Sequence, residues 1–559
     1  MNEIEIFQRI FKFEPYPFQR KVTESLIKGN FPILIKAPTG SGKTEAVLAP
    51  YLSQFFRNEF YIAPRLIYVL PMRVLVNSIE ERIKKYTANI SPYISIKVQH
   101  GDLPDAPFFM SDIVVTTLDQ FVYGFARASR QVGHHIDMPA GAIASSLVVF
   151  DEAHMYRDEF TFSIMRAIME ILCESRIPFV VMTATMPESL EKSLFENIKD
   201  YTKIMGEDVI NSKLRIRIWD EPLYANNEVN IDMELLENVK KRKTLIVLNQ
   251  VKRAQKVYEE IKTRLDLSNN QIVLLHSRFT KKDRERHENT ALSLIPHKED
   301  GKIKIPEGVG IVVSTQVLEA GIDFSAELLL TEIAPADCLV QRAGRCARYK
   351  GEVGEMIIFP VDDEKGYKPY EKEHLERTIN WIKGNPKFNI KKFEEVCSFV
   401  NILDYQANDF EARDTLVDLY ECVLYADTKP QNIQMRKGKP VYLIVVELPK
   451  VNKKELLEKK LNREFEEIKK NFLIEVDINF AWWLFKDPQK PIQWEIIWEY
   501  DEKEGKNKLK VRNLFEKEKS NKRIPPEEDP RIRPFGFYII DKNYYDEEKG
   551  VVKDECWII

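Results

Sequence analysis

Residues 37–44 read APTGSGKT, a glycine-interrupted stretch that ends on an ammonium and a hydroxyl. Gly40 and Gly42 let the backbone curl so that successive N–H groups converge on one point, the geometry that cradles phosphate oxygens. Ala37 stands where the phosphate-loop pattern has its first glycine. Thr39 and Ser41 complete the loop, Lys43 would reach β- and γ-phosphates, and Thr44 would place its hydroxyl on Mg²⁺. Such a loop works when it follows a buried strand and opens a helix, whose positive end completes the anion site. The run FPILIK before it and TEAVLAPYLSQFF after it supply both.

Two further groups suit the same chemistry. In VVFDEAH, Asp151 and Glu152 follow an apolar strand. Alone they could be surface carboxylates capping the next helix. Beside a phosphate loop, Asp151 can hold Mg²⁺ and Glu152 can orient and deprotonate an attacking water. In QRAGRCAR, Arg342, Arg345 and Arg348 cluster without a nearby acid. Guanidiniums stabilise the charge that spreads over a transferring phosphoryl group. Arg345 and Arg348 lie three apart, so a helix would present them on one face. The competing reading makes them surface salt bridges. The nucleotide reading is ATP with Mg²⁺.

The elements that must hold these residues follow from the pattern of apolar runs. Short apolar strands (RLIYVL, DIVVTT, SLVVF, IPFVVMT) alternate with amphipathic helical segments up to about residue 215, as a parallel sheet covered on both faces requires. A second alternation (KTLIVLNQ, QIVLLHS, GVGIVVST, AELLLTEI) fills 216–365, with WDEPLYANNEVN near 219–230 as a hinge. The fold class is therefore α/β, with lobe 1 at 1–215, lobe 2 at 216–365, a helical linker at 366–430 and a smaller accessory domain at 431–559. The helix KKELLEKKLNREFEEIKK alternates Glu and Lys at i, i+4 spacing and reads as a solvated face.

Bulk properties narrow the class. A chain of 559 residues with 44% hydrophobic and 30% charged content suits several globular domains. A net charge of −4 excludes a bulk polycation, so any nucleic-acid site must be local. Six scattered cysteines without CxxC pairs read as reduced thiols in a cytoplasm. No apolar run approaches a membrane span, so no membrane partner is expected.

APTGSGKT, DEAH, TAT and QRAGRCAR, in that order, resemble the superfamily 2 helicases, built as two tandem RecA-like lobes. More narrowly, LNQVKRAQ, LLHSRFTKKDR and TQVLEAGIDF look like the CRISPR-associated helicase of type I systems, the motor recruited by the Cascade surveillance complex. The resemblance implies that Gln19 in PYPFQR reads adenine and that Thr183 and Thr185 couple hydrolysis to strand movement. It also implies that Asp323 contacts the ribose and that Gln341 opens the arginine motif. It implies movement along single-stranded DNA, 3′ to 5′. A motor blind to sequence should grip phosphates. The candidates at strand ends are Arg73, Gly101, Thr116, Thr117, Asn249, Ser277, Arg278 and Thr315, each of which could instead be a cap or turn residue.

Many members of that family carry an HD nuclease. Here few residues precede Gln19, and none of the eight histidines is followed by Asp. His134 and His135 lie in a loop-like insertion, ASRQVGHHIDMPAGA, without supporting carboxylates. The expectation is a motor that works with a separate HD-domain nuclease subunit. Two alternatives stay open: a general DNA or RNA helicase unconnected to CRISPR defence, and an ATP-gated clamp that does not unwind.

Overall fold

The architecture is given by a computed structural model, which describes residues 2–101, 103–156, 158–209, 211–299, 302–318, 323–361, 366–405, 408–424, 433, 440–449, 453–501, 506–515 and 531–551. The chain forms two compact units. Unit 1 joins Met1–Arg215, Ala334–Val353 and Tyr370–Lys437, and unit 2 joins Ile216–Ile333, Gly354–Pro369 and Gly438–Ile559. The segment with Gln341, Arg345 and Arg348 thus lies in the same unit as the phosphate loop, although the strands before and after it lie in unit 2.

Unit 1 is built on an eight-stranded sheet. Its spatial order is Leu103–Pro104, Ile96–His100, Ile113–Thr117, Arg65–Leu70, Ser146–Phe150, Phe179–Thr183, Ile33–Lys36 and Thr202–Met205. Every pairing is parallel except that of the two-residue edge strand. The apolar runs are continuous because both faces are covered. Leu34, Ile67, Val148 and Val181 face one core, shared with the helices Leu118–Phe125 and Glu159–Glu174. Their neighbours Ile35, Leu66, Tyr68, Val149 and Met182 face the other, with the helices Pro17–Ile27 and Lys43–Arg57. The helix Asp409–Leu424 packs on Glu159–Glu174 through Ala412, Leu419 and Cys422. The insertion read as loop-like ends in a helix, Asp137–Ala144, because Ala142 and Ile143 are drawn into the core.

Unit 2 holds a six-stranded sheet in the order Ile272–Leu275, Ile311–Ser314, Thr244–Val247, Leu328–Glu332, Val353–Phe359 and Lys213–Ile218, and the division between the units falls within that last edge strand. Residues 219–230, read as a hinge, contain a short antiparallel hairpin of Tyr224–Ala225 with Glu228–Val229. A five-stranded mixed sheet follows, ordered Leu473–Asp477, Pro440–Val446, Phe537–Asp541, Ile492–Asp501 and Lys506–Asn513. The charged helix Lys453–Phe472 covers one face through Leu457, Leu461 and Ile468 and turns most of its charges outward, while Glu458 accepts from Val511 N–H on the sheet (3.1 Å). The helix Ile478–Lys486 covers the other face through Ile478, Ala481 and Leu484. The fold is mixed α/β, with two parallel RecA-like sheets and a C-terminal domain.

Among the described residues no helix is long and apolar enough to cross a membrane. The five described cysteines are unbridged.

Candidate active site

The loop after Ile33–Lys36 curls as its glycines predict: Gly40 takes φ +81° and Gly42 φ +89°, both left-handed. A Cβ on Gly42 would stand 2.5 Å from the Gln19 side-chain nitrogen. Gly42 caps the helix that begins at Lys43. Gln19 is fully buried; its Oε1 accepts from Tyr16 N–H (2.8 Å) and its Nε2 donates to the Gly42 carbonyl (2.9 Å). Its amide therefore ties the Tyr16 segment to the phosphate loop. Lys43 Nζ lies back across the loop, donating to the carbonyls of Ala37 (3.0 Å) and Pro38 (3.2 Å).

Asp151 follows the central strand Ser146–Phe150, which brings it to the mouth of the same loop. The buried Tyr68 hydroxyl is the link, because it donates to Asp151 Oδ2 at 2.6 Å and lies 3.3 Å from Thr44 Oγ1. Both expected Mg²⁺ ligands thus sit against one hydroxyl. Burial, and next the Glu152 charge, push the Asp151 carboxyl up to about 6, and the Lys43 ammonium pulls the other way. A divalent cation would favour its ionised form. Ser41 Oγ in the loop is buried without a hydrogen-bond partner, a hydroxyl that a phosphate oxygen or metal-bound water would satisfy. The residues present fit ATP with Mg²⁺: the loop for the phosphates, Thr44 and Asp151 for the cation.

Glu152 adopts φ +52°, a left-handed conformation unusual for a residue with a Cβ, and donates its N–H to Asp151 Oδ1 (2.8 Å). Its Oε2 is buried, makes no hydrogen bond, and lies 3.6 Å from His154 Nδ1. An acceptor held in this way is suited to a water proton.

Sequence reasoning did not single out His154 or Tyr68. His154 is buried; its Nδ1 lies 3.2 Å from Thr183 Oγ1 and its Nε2 3.0 Å from Gln341 Nε2. The Gln341 amide also donates to Thr185 Oγ1 (3.1 Å), and Thr185 N–H donates to Thr183 Oγ1 (3.3 Å). A donating amide at Nε2 assigns the imidazole proton to Nδ1. The acid segment, the TAT segment and the arginine segment are therefore joined in one chain of bonds. The final His of VVFDEAH was the available signal for His154. Tyr68 carried none, because its strand reads as apolar.

The arginines part company. The helix Ala336–Ala343 stops before Arg345, and Ala347 takes φ +46°, so Arg345 and Arg348 lie in the turn that follows rather than on one helix face. Arg342 is one of the largest fully buried side chains and donates to Tyr370 Oη (2.9 Å), a brace within unit 1. Arg345 is also buried. Arg348 is half-buried and donates to the Gly344 carbonyl (3.2 Å).

In unit 1, Gly101 is exposed and the half-buried Arg73 lies against it, with Nη2 3.0 Å from where a Gly101 Cβ would be. Thr116 is buried, its hydroxyl donating to Gln99 O (2.8 Å), and Thr117 Oγ1 is buried without a partner. In unit 2, Asn249 is buried and donates its side-chain amide to Ile333 O (2.9 Å), and Thr315 is buried. Ser277 and Asp323 are exposed, and Arg278 is half-buried. Residues 319–322 of TQVLEAGIDF and Asp102 of QHGD lie outside the described residues. Among the described residues no group of three His, Cys, Asp or Glu side chains is placed to hold a metal.

Comparison with known proteins supplies the context. A family described as DEAD/DEAH box helicase matches residues 16–193, and one described as CRISPR-associated nuclease/helicase Cas3, C-terminal, matches residues 240–351. The CRISPR-associated helicase Cas3 of Thermoproteus tenax is 30% identical over 62% of this chain and 59% of that protein. A putative CRISPR-associated nuclease/helicase Cas3 of Methanocaldococcus jannaschii is 29% identical over 71% of this chain and 54% of that one. The chain thus spans somewhat over half the length of these curated relatives. The T. fusca Cas3–ADP crystal structure superposes with a TM-score of 0.63 at 19% identity, covering 98% of this chain and 70% of that chain.

Proposed function

We propose that this chain, a homologue of the CRISPR-associated Cas3 helicases that carries their two helicase segments, is an ATP-driven motor on single-stranded DNA. It moves 3′ to 5′ in type I CRISPR interference, enters the strand displaced at the Cascade surveillance complex, acts in the cytoplasm, and works beside a separate HD-domain nuclease. The observation that carries the reading is the Gln341 amide, which touches both His154 of the acid segment and Thr185 of the TAT segment.

In this mechanism the loop N–H groups and Lys43 bind the β- and γ-phosphates, and Thr44 and Asp151 hold Mg²⁺, with Tyr68 orienting both. Bound Mg²⁺ supplies charge neutralisation at the phosphates. Glu152 aligns a water and accepts its proton, and Arg345 and Arg348 stabilise charge on the transferring group. Loss of the terminal phosphate alters what Glu152 and His154 face, and the Gln341–Thr185–Thr183 bonds pass that change on. Asp323 meets the ribose and Gln19 the adenine. The strand contacts assigned are Arg73, Gly101, Thr116 and Thr117 in unit 1 and, separately, Asn249, Ser277, Arg278 and Thr315 in unit 2.

The test is ATP turnover with single-stranded DNA, single-stranded RNA and duplex, together with displacement of an annealed strand from 3′- and 5′-tailed DNA. Single-stranded DNA should stimulate turnover, and the 3′-tailed substrate alone should be opened. Equal stimulation by RNA would point to a general helicase, and turnover without displacement to a clamp. Glu152→Gln should keep ATP binding and slow hydrolysis by about a hundredfold. DNA cutting by the purified chain with Mn²⁺ or Co²⁺ would refute the separate nuclease.

A further inference from the structure

The loop His276–Arg278, which follows the strand Ile272–Leu275, is held on one side by its own lobe, where His276 stacks on Phe279, and on the other by the C-terminal domain of the same unit. His276 Nε2–H donates to the Lys549 carbonyl (2.8 Å), and Val551 N–H donates to the Arg278 carbonyl (3.2 Å). Both partners lie in a short antiparallel hairpin, Tyr545–Asp546 with Gly550–Val551. Gly550, at φ +76°, passes so close that a Cβ there would stand 2.5 Å from the Arg278 carbonyl oxygen and 2.6 Å from His276 Cε1. A glycine is the residue that allows this approach.

The Arg278 side chain is held from the other side. Its guanidinium carbon stands 3.9 Å from the centre of the Phe480 ring. Phe480 lies on the helix Ile478–Lys486, which Asp477 caps by accepting from Asn479 N–H (2.8 Å), and its ring stacks on Trp483 with centroids 5.6 Å apart. Among the described residues Arg278 makes no ion pair and no side-chain hydrogen bond. Burial brings its pKa down to about 10, which leaves it charged at neutral pH. A half-buried guanidinium set on an aromatic face keeps its N–H donors for another acceptor, and a phosphate diester is a strong one.

We infer that Phe480 is a positioning residue for strand binding: with the Gly550 hairpin, it fixes the Arg278 guanidinium for a nucleic-acid phosphate, so the C-terminal domain sets the grip of the second parallel-sheet lobe. The inference rests on the proposed strand contact of Arg278. It gives the C-terminal domain a task in binding rather than a purely covering role.

The experiment is a double-substitution cycle on the full chain, read as the dissociation constant of a labelled oligo-deoxythymidine across a salt series, with a thermal melt for each variant. Phe480→Leu keeps an apolar side chain and removes the π face. It should weaken binding about threefold to tenfold, Phe480→Trp should restore it, and Phe480→Leu should add nothing once Arg278→Ala is present. Gly550→Ala, which displaces the hairpin without touching Phe480, should weaken binding in the same direction. If Arg278→Ala leaves the affinity unchanged, the strand-contact reading fails and takes the inference with it. If Arg278→Ala weakens binding while Phe480→Leu matches the wild type, or while its effect persists undiminished in the Arg278→Ala background, the inference alone is overturned.

Discussion

Asp151 and Glu332 occupy corresponding places in their sheets. Each stands at the C-terminal end of an interior parallel strand and each is buried, yet the surroundings are opposite. Glu332 accepts from Arg253 (2.6 Å) through one oxygen and from Asn249 N–H (2.7 Å) through the other, and Arg253 is itself buried over the Tyr224 ring. Asp151 accepts from a neutral tyrosine and from the Glu152 N–H, has Glu152 as its sequence neighbour, and is pushed up to about 6. Burial with a matched cation makes a brace. Burial beside a second acid makes a site that gains when a cation arrives, and that distinction separates the surroundings of Asp151 from those of Glu332.

The same substitution class should therefore do opposite things in the two places. Glu332→Gln strands a buried guanidinium and should cost unit 2 about 3–5 kcal/mol, seen as a lower urea midpoint. Asp151→Asn removes a charge that burial and Glu152 disfavour. Its midpoint should hold or rise while Mg²⁺-dependent ATP turnover falls about a hundredfold or more, about 2.7 kcal/mol in the barrier. Parallel losses of stability in both variants would erase the contrast.

How much of this could be read beforehand divides along similar lines. The loop 37–44, the acid pair and the parallel sheets were legible because backbone torsion, strand burial and phosphate binding each demand residue types at fixed local spacing. The placement of the three arginines was not. Arg342 is a brace because Tyr370, far along the chain, meets it, and no local pattern encodes that. Arg345 and Arg348 leave the helix because the chain turns at Gly344–Ala347, whereas i, i+3 spacing alone suggests a continuous face. The Arg253–Glu332 pair was equally silent: Arg253 sits in VKRAQKVYEE, whose helical spacing does not mark which of its charged residues is buried.

Proton linkage gives the two units opposite signs, a smaller effect. The unfolded-chain value for Asp151 is near 3.8, so the folded chain retains a proton that the unfolded chain has released. Its contribution to stability is full below pH 3.8 and is lost as pH rises through about 6. His276 in unit 2 is depressed from 6.5 to about 3 by burial and next by the Arg278 charge. Its contribution is present above pH 6.5 and is lost as pH falls towards about 3. Between pH 7.5 and 5.5 the His276 loss is about 1.4 kcal/mol, partly offset by Asp151. His276→Gln should flatten the acid-side decline in unfolding free energy, and Asp151→Asn should steepen it. Identical pH profiles for both variants would remove the assignment.

The smallest effect probes how Asp151 is aimed rather than how it is charged. Tyr68 is fully buried in the middle of the sheet, and its hydroxyl meets both Asp151 and Thr44. Tyr68→Phe keeps the ring in the core and removes one hydrogen bond, a change worth about 1 kcal/mol. If that bond serves mainly to orient the two cation ligands, the Mg²⁺ concentration giving half-maximal turnover should rise about fivefold. The urea midpoint should fall by no more than that one bond is worth, because the ring still fills the core and Asp151, which burial and Glu152 already push up to about 6, can take up a proton where the donor is lost. A large drop in stability with an unchanged Mg²⁺ dependence would instead make Tyr68 a brace like Arg253, and the contrast between the two sheets would then rest on Glu152 alone.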